Sequence, residues 1–149
     1  MENAVKALLI AAGVLIGVMV LSLGVALFSS LSEFSVNTQK QIEENAIQKF
    51  NEQFTRYLDT NLTIHDIVTA ANTAYESNTK YGLIEPSDGN YYVIINMPEN
   101  NDLQKNINEK MSQLLKDYSK KTYKCTADSV RFNLITGRVC EVTFTEISE

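Results

Sequence analysis

Two cysteines, Cys125 and Cys140, are the residues best placed by type to do chemistry in this chain of 149 residues. Both fall on the inward faces of neighbouring predicted strands, which leaves two readings open. An oxidised pair would close a loop of about 15 residues and add up to about 3 kcal/mol by restricting the unfolded chain. Two reduced cysteines would instead serve as small core residues. A zinc or nucleophilic role is not expected, because the spacing matches no ligand pattern and no histidine lies nearby in sequence.

The single histidine, His65, stands beside Asp66 at the start of a predicted helix and reads as a surface residue of a first turn. Glu43, Glu44, Asp59, Asp88, Asp102 and Asp128 lack both the alternating ligand spacing of a calcium loop and a His-Glu pair at helical offset. There is no phosphate-binding glycine loop. Asn61-Leu62-Thr63 matches a glycosylation acceptor, which matters only in a eukaryotic secretory route. No catalytic, cofactor-binding or metal-ligating residue is therefore assigned, no small-molecule substrate is identified, and an enzyme is not expected.

One more pattern is specific. Gly13, Gly17 and Gly24 lie four and seven residues apart, which on a helix places them within about 40° of one another and opens a shallow groove. Such a stripe lets a second helix approach closely; glycine is also simply common in membrane helices.

These residues must be positioned by the elements around them, and the glycines sit in the most decisive one. From Ala7 to Phe28 no residue is charged and nearly all are Leu, Val, Ile, Ala or Gly. As a helix this run reaches roughly 33 Å, enough for a hydrocarbon core of about 30 Å, whereas the apolar part of a cleavable signal is about 7–15 residues. A lipid bilayer is thus the first expected partner. Residues 1–32 carry only Glu2 and Lys6, so the net charge of −5 sits on the remainder, an acidic domain large enough for one modest core. Its lysines and arginines are scattered, apart from Lys120, Lys121 and Lys124, and nucleic acid is not expected. Lys6 precedes the span and Glu33 is the first charge after it, which favours a cytoplasmic amino terminus and an extracytoplasmic head. Ser30-Leu31-Ser32 is only a faint cleavage site, and retention of the span is expected.

Residues 31–58 contain neither Pro nor Gly, and Ile42, Ala46, Ile47, Phe50, Phe54, Tyr57 and Leu58 repeat at steps of three and four. One helix from about residue 3 to about residue 58, roughly 80 Å long, follows; serines at 29, 30, 32 and 35 are the alternative of a hinge. The domain reading is 1–30 transmembrane helix, 31–58 amphipathic helix continuing into the head, and 59–149 head. Thr63 and Asp66 announce a second helix, ending near Asn78. Tyr81 to Glu85 and Tyr91 to Met97 read as two strands around Pro86-Ser87-Asp88-Gly89-Asn90. Leu103, Ile107, Met111, Leu114, Leu115 and Tyr118 mark a third helix.

The tail alternates like a sheet. Tyr123, Cys125 and Ala127, then Val130, Phe132 and Leu134, then Cys140, Val142 and Phe144 form the expected apolar faces. Keeping those faces in phase calls for a three-residue loop with Gly137 left-handed and Phe132 paired to Cys140 or Val142. The fold class is α+β: a long amino-terminal helix, then a small head of two further helices and an antiparallel sheet.

A helix apolar over Ala7 to Phe28 and amphipathic over Leu31 to Leu58, followed by a small α/β head with Cys125 and Cys140 near its end, resembles type IV pilins and the pilin-like subunits of related secretion systems. The resemblance is architectural: the apolar run holds no glutamate, and no basic leader ending in Gly precedes it in this sequence. It implies that Ala7 to Phe28 bundles with other helices, that Leu31 to Leu58 packs under the head, and that Cys125 to Cys140 bounds an outward-facing region. The Asn, Ile and Lys content suggests an AT-rich bacterial genome. The expected function is a single-pass membrane-anchored assembly protein, self-associating or packing with other membrane helices. The alternative is a membrane-tethered extracytoplasmic binding or sensing module in which the exposed strands of Tyr81 to Met97 or the tyrosine-rich face around Tyr91 and Tyr92 hold a partner.

Overall fold

A computed structural model describes residues 1–147. The chain divides into two compact units, Met1–Glu44 and a second beginning at Asn45. The first unit is helical from Glu2 onward, part of helix α1 (Glu2–Thr55). Its apolar stretch is long enough to cross a membrane, and no side chain in it is buried. Leu8, Leu15, Leu21 and Phe28 stand 75, 64, 71 and 77% exposed on different sides of the helix. A helix apolar all round has no solvated face to turn to water.

In the second unit the last turns of α1 join the core through Phe50 and Phe54, whose rings meet edge to face at 5.3 Å. Ile42 and Ala46, expected on the same packed stripe, are exposed, so burial of that stripe starts at Ile47. Strand β1 (Asn61–Leu62) follows, and then α2 (Ile64–Lys80). Thr63 caps α2 as its spacing to Asp66 predicts: the Thr63 backbone N–H and hydroxyl both donate to Asp66 Oδ2, at 2.8 Å. Ile64, Ile67, Val68, Ala71 and Ala74 form its buried face, the alanines allowing close approach of neighbouring elements.

Gly82, at φ +67°, ends α2 in a left-handed conformation that residues with a Cβ rarely adopt. The strand expected over Tyr81 to Glu85 does not form. The N–H groups of Ile84 and Glu85 are taken by Asp88 Oδ2 at 2.7 and 2.8 Å, across a short 3-10 turn at Pro86–Asp88, and so no longer serve a ladder. These two donors hold the Asp88 carboxyl below its usual range.

The strands build two sheets rather than one antiparallel sheet. In the first, β1, β3 (Thr122–Lys124) and β6 (Thr145–Ile147) lie antiparallel with β3 central. In the second, β5 (Val139–Thr143) is central, parallel to β2 (Ile94–Asn96) and antiparallel to β4 (Val130–Phe132). The chain passes from one sheet to the other at Phe144, which is 1% exposed and donates its N–H to the Asn96 carbonyl at 2.8 Å. Helix α3 (Ile107–Asp117), entered through a 3-10 turn at Leu103–Asn106, packs on α2.

The β4–β5 hairpin corrects the expected phase. Gly137 is left-handed at φ +66°, as foreseen. The loop, however, has four residues between Asn133 and Arg138, whose N–H and carbonyl pair at 2.8 Å, and Asn133 Oδ1 collects the N–H groups of Ile135 and Thr136. Phe132 then faces Val139, Arg131 faces Glu141, and Cys140 is the extra residue of a bulge. Phe132 and Leu134 consequently stand 47 and 101% exposed instead of in the core, while Val130 and Val142 are buried. Ala127, expected beside Tyr123 and Cys125, is exposed in a 3-10 turn at Ala127–Ser129.

Candidate functional site

The expected Cys125–Cys140 bridge is absent, and both side chains are free thiols. Cys125 lies just past β3 in one sheet, where Leu58 bridges to it, and Cys140 is the bulge residue of β5 in the other. Their sulfurs face different neighbours: Cys140 Sγ reaches the Arg131 carbonyl at 3.4 Å, and Cys125 Sγ the Thr126 carbonyl at 3.9 Å. Burial, reinforced by the Asp59 carboxylate, pushes the Cys125 thiol up to about 11. Burial also raises Cys140, with Arg131 opposing. Both thiols are protonated at neutral pH and so are poor nucleophiles.

His65 is exposed, in the first turn of α2, and its carbonyl accepts the Thr69 hydroxyl at 2.8 Å. Among the described residues no three His, Cys, Asp or Glu side chains come together as a metal site. Gly13, Gly17 and Gly24 all lie on α1, and the space a Cβ would fill beside each is open.

The strongest electrostatic feature is one that sequence reasoning passed over as a scattered cation. Arg138, 9% exposed, follows the left-handed Gly137 and sends its guanidinium over the Phe50 ring at 3.7 Å, with Tyr91 and Tyr81 at 5.0 and 5.1 Å. The two tyrosine rings stack on each other at 4.9 Å. Nη1 donates to the Tyr81 hydroxyl at 3.0 Å and Nη2 to Ser77 Oγ at 3.5 Å, while buried Nε has no partner. Among the described residues no carboxylate pairs with it. Aromatic faces thus supply the negative potential that a counter-ion would otherwise give, each such contact contributing up to about 2 kcal/mol when desolvated. The cation clamps α1, the end of α2 and the β4–β5 hairpin together, aided by Asn51, which donates to the Gly137 carbonyl at 2.9 Å and accepts the Val139 N–H at 2.8 Å.

Two cavities flank the segment between α2 and β2. The larger, about 370 Å³, lies between the end of α2 and the Leu103–Asn106 turn, with Tyr75, Leu83, Ile84, Tyr92, Gln104 and Lys105 among its lining residues. The smaller, about 290 Å³, is bordered by Tyr92, Arg131, Cys140 and Glu141. Arg131 and Glu141 pair there at 3.0 Å, and Glu141 also accepts from Asn96 Nδ2 at 2.9 Å, so the charges of this second cavity are mutually satisfied.

Comparison with protein-family models, with curated proteins and with solved structures returns no match for this chain.

Proposed function

We propose that this chain is a single-pass membrane-anchored assembly subunit, pilin-like in architecture, with its amino terminus cytoplasmic and its head extracytoplasmic. The observation that carries the reading is helix α1, in which an all-round apolar stretch runs without a break into the turns that enter the head core. Lipid or other helices are the partners such a stretch requires. The Gly13, Gly17 and Gly24 stripe supplies the packing groove, and packing in lipid rests on close van der Waals contact.

Cross-linking of the wild type, Gly17→Leu and Val18→Leu side by side tests it. Leu is more apolar than Gly, so insertion survives in both variants. Oligomer ladders vanish in Gly17→Leu and persist in Val18→Leu if the stripe packs. Identical ladders in all three overturn the assembly reading. The second reading, a membrane-tethered binding module, draws on the cavity beside Tyr92, within the tyrosine-rich region that the sequence marks.

A further inference from the structure

The geometry points to the 370 Å³ cavity as a binding site for a compact apolar ligand that carries one carboxylate. It gives the tethered-binding reading its ligand chemistry and does not depend on self-association. The volume lies at the lower end of the range of small-molecule sites, which are mostly apolar with a few convergent polar groups. The walls here are the Tyr75 ring, Leu83 and Ile84, and Ile84 is 71% exposed and Tyr75 37% exposed.

Two of the lining polar side chains, Gln104 and Lys105, carry donors held by long contacts. Gln104 lines the cavity yet is 1% exposed, and its two amide atoms are unequally used. Oε1 accepts the Ile95 N–H at 2.8 Å, which fixes the orientation of the amide. Among the described residues Nε2 reaches Tyr92 Oη at 3.4 Å and Asp102 Oδ1 at 3.5 Å, both longer than an ordinary N–H···O bond of about 2.7–3.2 Å. The Tyr92 hydroxyl donates to the Ile84 carbonyl at 3.2 Å, so its proton is spent inside the protein. Lys105 adds an ammonium whose ion pair, to Glu85 at 3.8 Å, joins two side chains 46 and 61% exposed, a weak contact that a better acceptor displaces. Among the described residues no acidic side chain lines the cavity, and the Asp102 and Glu85 carboxylates are the acceptors that a ligand carboxylate would displace. An under-used buried donor and a loosely held cation, set against aromatic and aliphatic walls, are complementary to an anionic acceptor on an apolar body.

The same chemistry is offered by a free aryl or short alkyl carboxylic acid and by the carboxy-terminal residue of a peptide ending in an apolar side chain. The probes are therefore 3-phenylpropionate, its uncharged amide, and acetyl-Gly-Gly-Phe, presented to the full chain in lipid nanodiscs, with saturation-transfer NMR as the readout and empty nanodiscs as the blank. Binding of 3-phenylpropionate above the blank is expected, with the amide at least about tenfold weaker. Gln104→Glu keeps an oxygen for the Ile95 N–H but replaces the donor by an acceptor, and Lys105→Gln removes a charge whose ion pair, to Glu85, is solvent-exposed. Each variant should weaken 3-phenylpropionate, Gln104→Glu by about tenfold or more and Lys105→Gln by about fivefold. Tighter competition by acetyl-Gly-Gly-Phe than by 3-phenylpropionate assigns the site to a peptide terminus, and weaker competition assigns it to a free acid. No signal above the blank, or equal affinity for acid and amide in the wild type and both variants, overturns the site. That failure leaves the Gly17→Leu cross-linking result untouched, since Gly17 lies in the other compact unit.

Discussion

Cys125 and Cys140 show how a residue's environment overrides its type. As free thiols in separate sheets, they should both react with a maleimide once the chain is denatured without reductant. Labelling of neither would restore the bridge. In the folded protein burial holds Cys125 neutral, so its proton is released at about 11 rather than at the ordinary 9.0. A folded-state value raised above the unfolded one means that the associated stability is complete below about pH 9 and is lost as the pH rises toward 11. Over those two units the loss amounts to about 2–3 kcal/mol. Cys125→Ala should remove this component, so the difference between wild type and Cys125→Ala in urea unfolding, followed from pH 8 to 11, isolates it from titrating lysines and tyrosines. A constant difference across that range would mean that the folded thiol ionises as freely as the unfolded one.

At the scale of elements, two buried amides finish an edge that no strand among the described residues covers. Strand β2 is bonded to β5 along one side only, and the segment leading into it presents alternate backbone groups on the other. Asn78, from α2, accepts the Val93 N–H at 2.8 Å and donates to the Val93 carbonyl at 2.9 Å; Gln104 takes the Ile95 N–H two residues on. The amides stand in for a neighbouring strand and block further pairing at that edge. Asn78→Leu should leave both Val93 groups buried without partners and destabilise the head by about 2–4 kcal/mol, whereas Glu76→Ala on the exposed side of α2 should change stability by less than about 0.5 kcal/mol. Chemical unfolding of the two variants decides this, and a neutral Asn78→Leu would show that the amide is dispensable. What was legible in the sequence follows from the same contrast. The Thr63–Asp66 cap, the apolar faces of α2 and α3 and the unbroken α1 are encoded within a few residues, so spacing alone reveals them. Asn78 and Gln104 occupy buried faces as polar residues, and only the approach of β2 makes sense of them. The parallel pairing of β2 with β5, the bulge at Cys140 and the aromatic cage of Arg138 likewise join residues far apart in the chain. Tyr91 and Tyr92 stand out in the sequence as adjacent tyrosines, but the buried amide of Gln104 beside Tyr92 does not.

For the molecule as a whole, the balance between span and head sets its physical state. Residues 33–149 carry the net charge of −5 and include a buried core, while Ala7 to Phe28 contributes no charge. Each large apolar side chain moved from water into lipid gains about 1.5–3 kcal/mol, and this stretch holds more than a dozen, so transfer outweighs anything the head's solubility opposes. The intact protein should therefore fractionate with membranes and stay there through alkaline carbonate extraction, which strips proteins held by surface charge. The chain shortened to begin near Ser35 should be recovered from the soluble fraction as a monomer. Lys6 is the one basic side chain before the span, so the bias that orients it is small. Digestion of the head by external protease on intact cells, after removal of any wall, is accordingly the separate measurement for topology, and a protected head would reverse the orientation without disturbing the anchor. Recovery of the full-length chain in the soluble fraction without detergent would instead defeat the span itself, and with it the packing role of Gly13, Gly17 and Gly24, because a helix in water buries such residues by the hydrophobic effect and gains nothing from a groove cut for close contact in lipid.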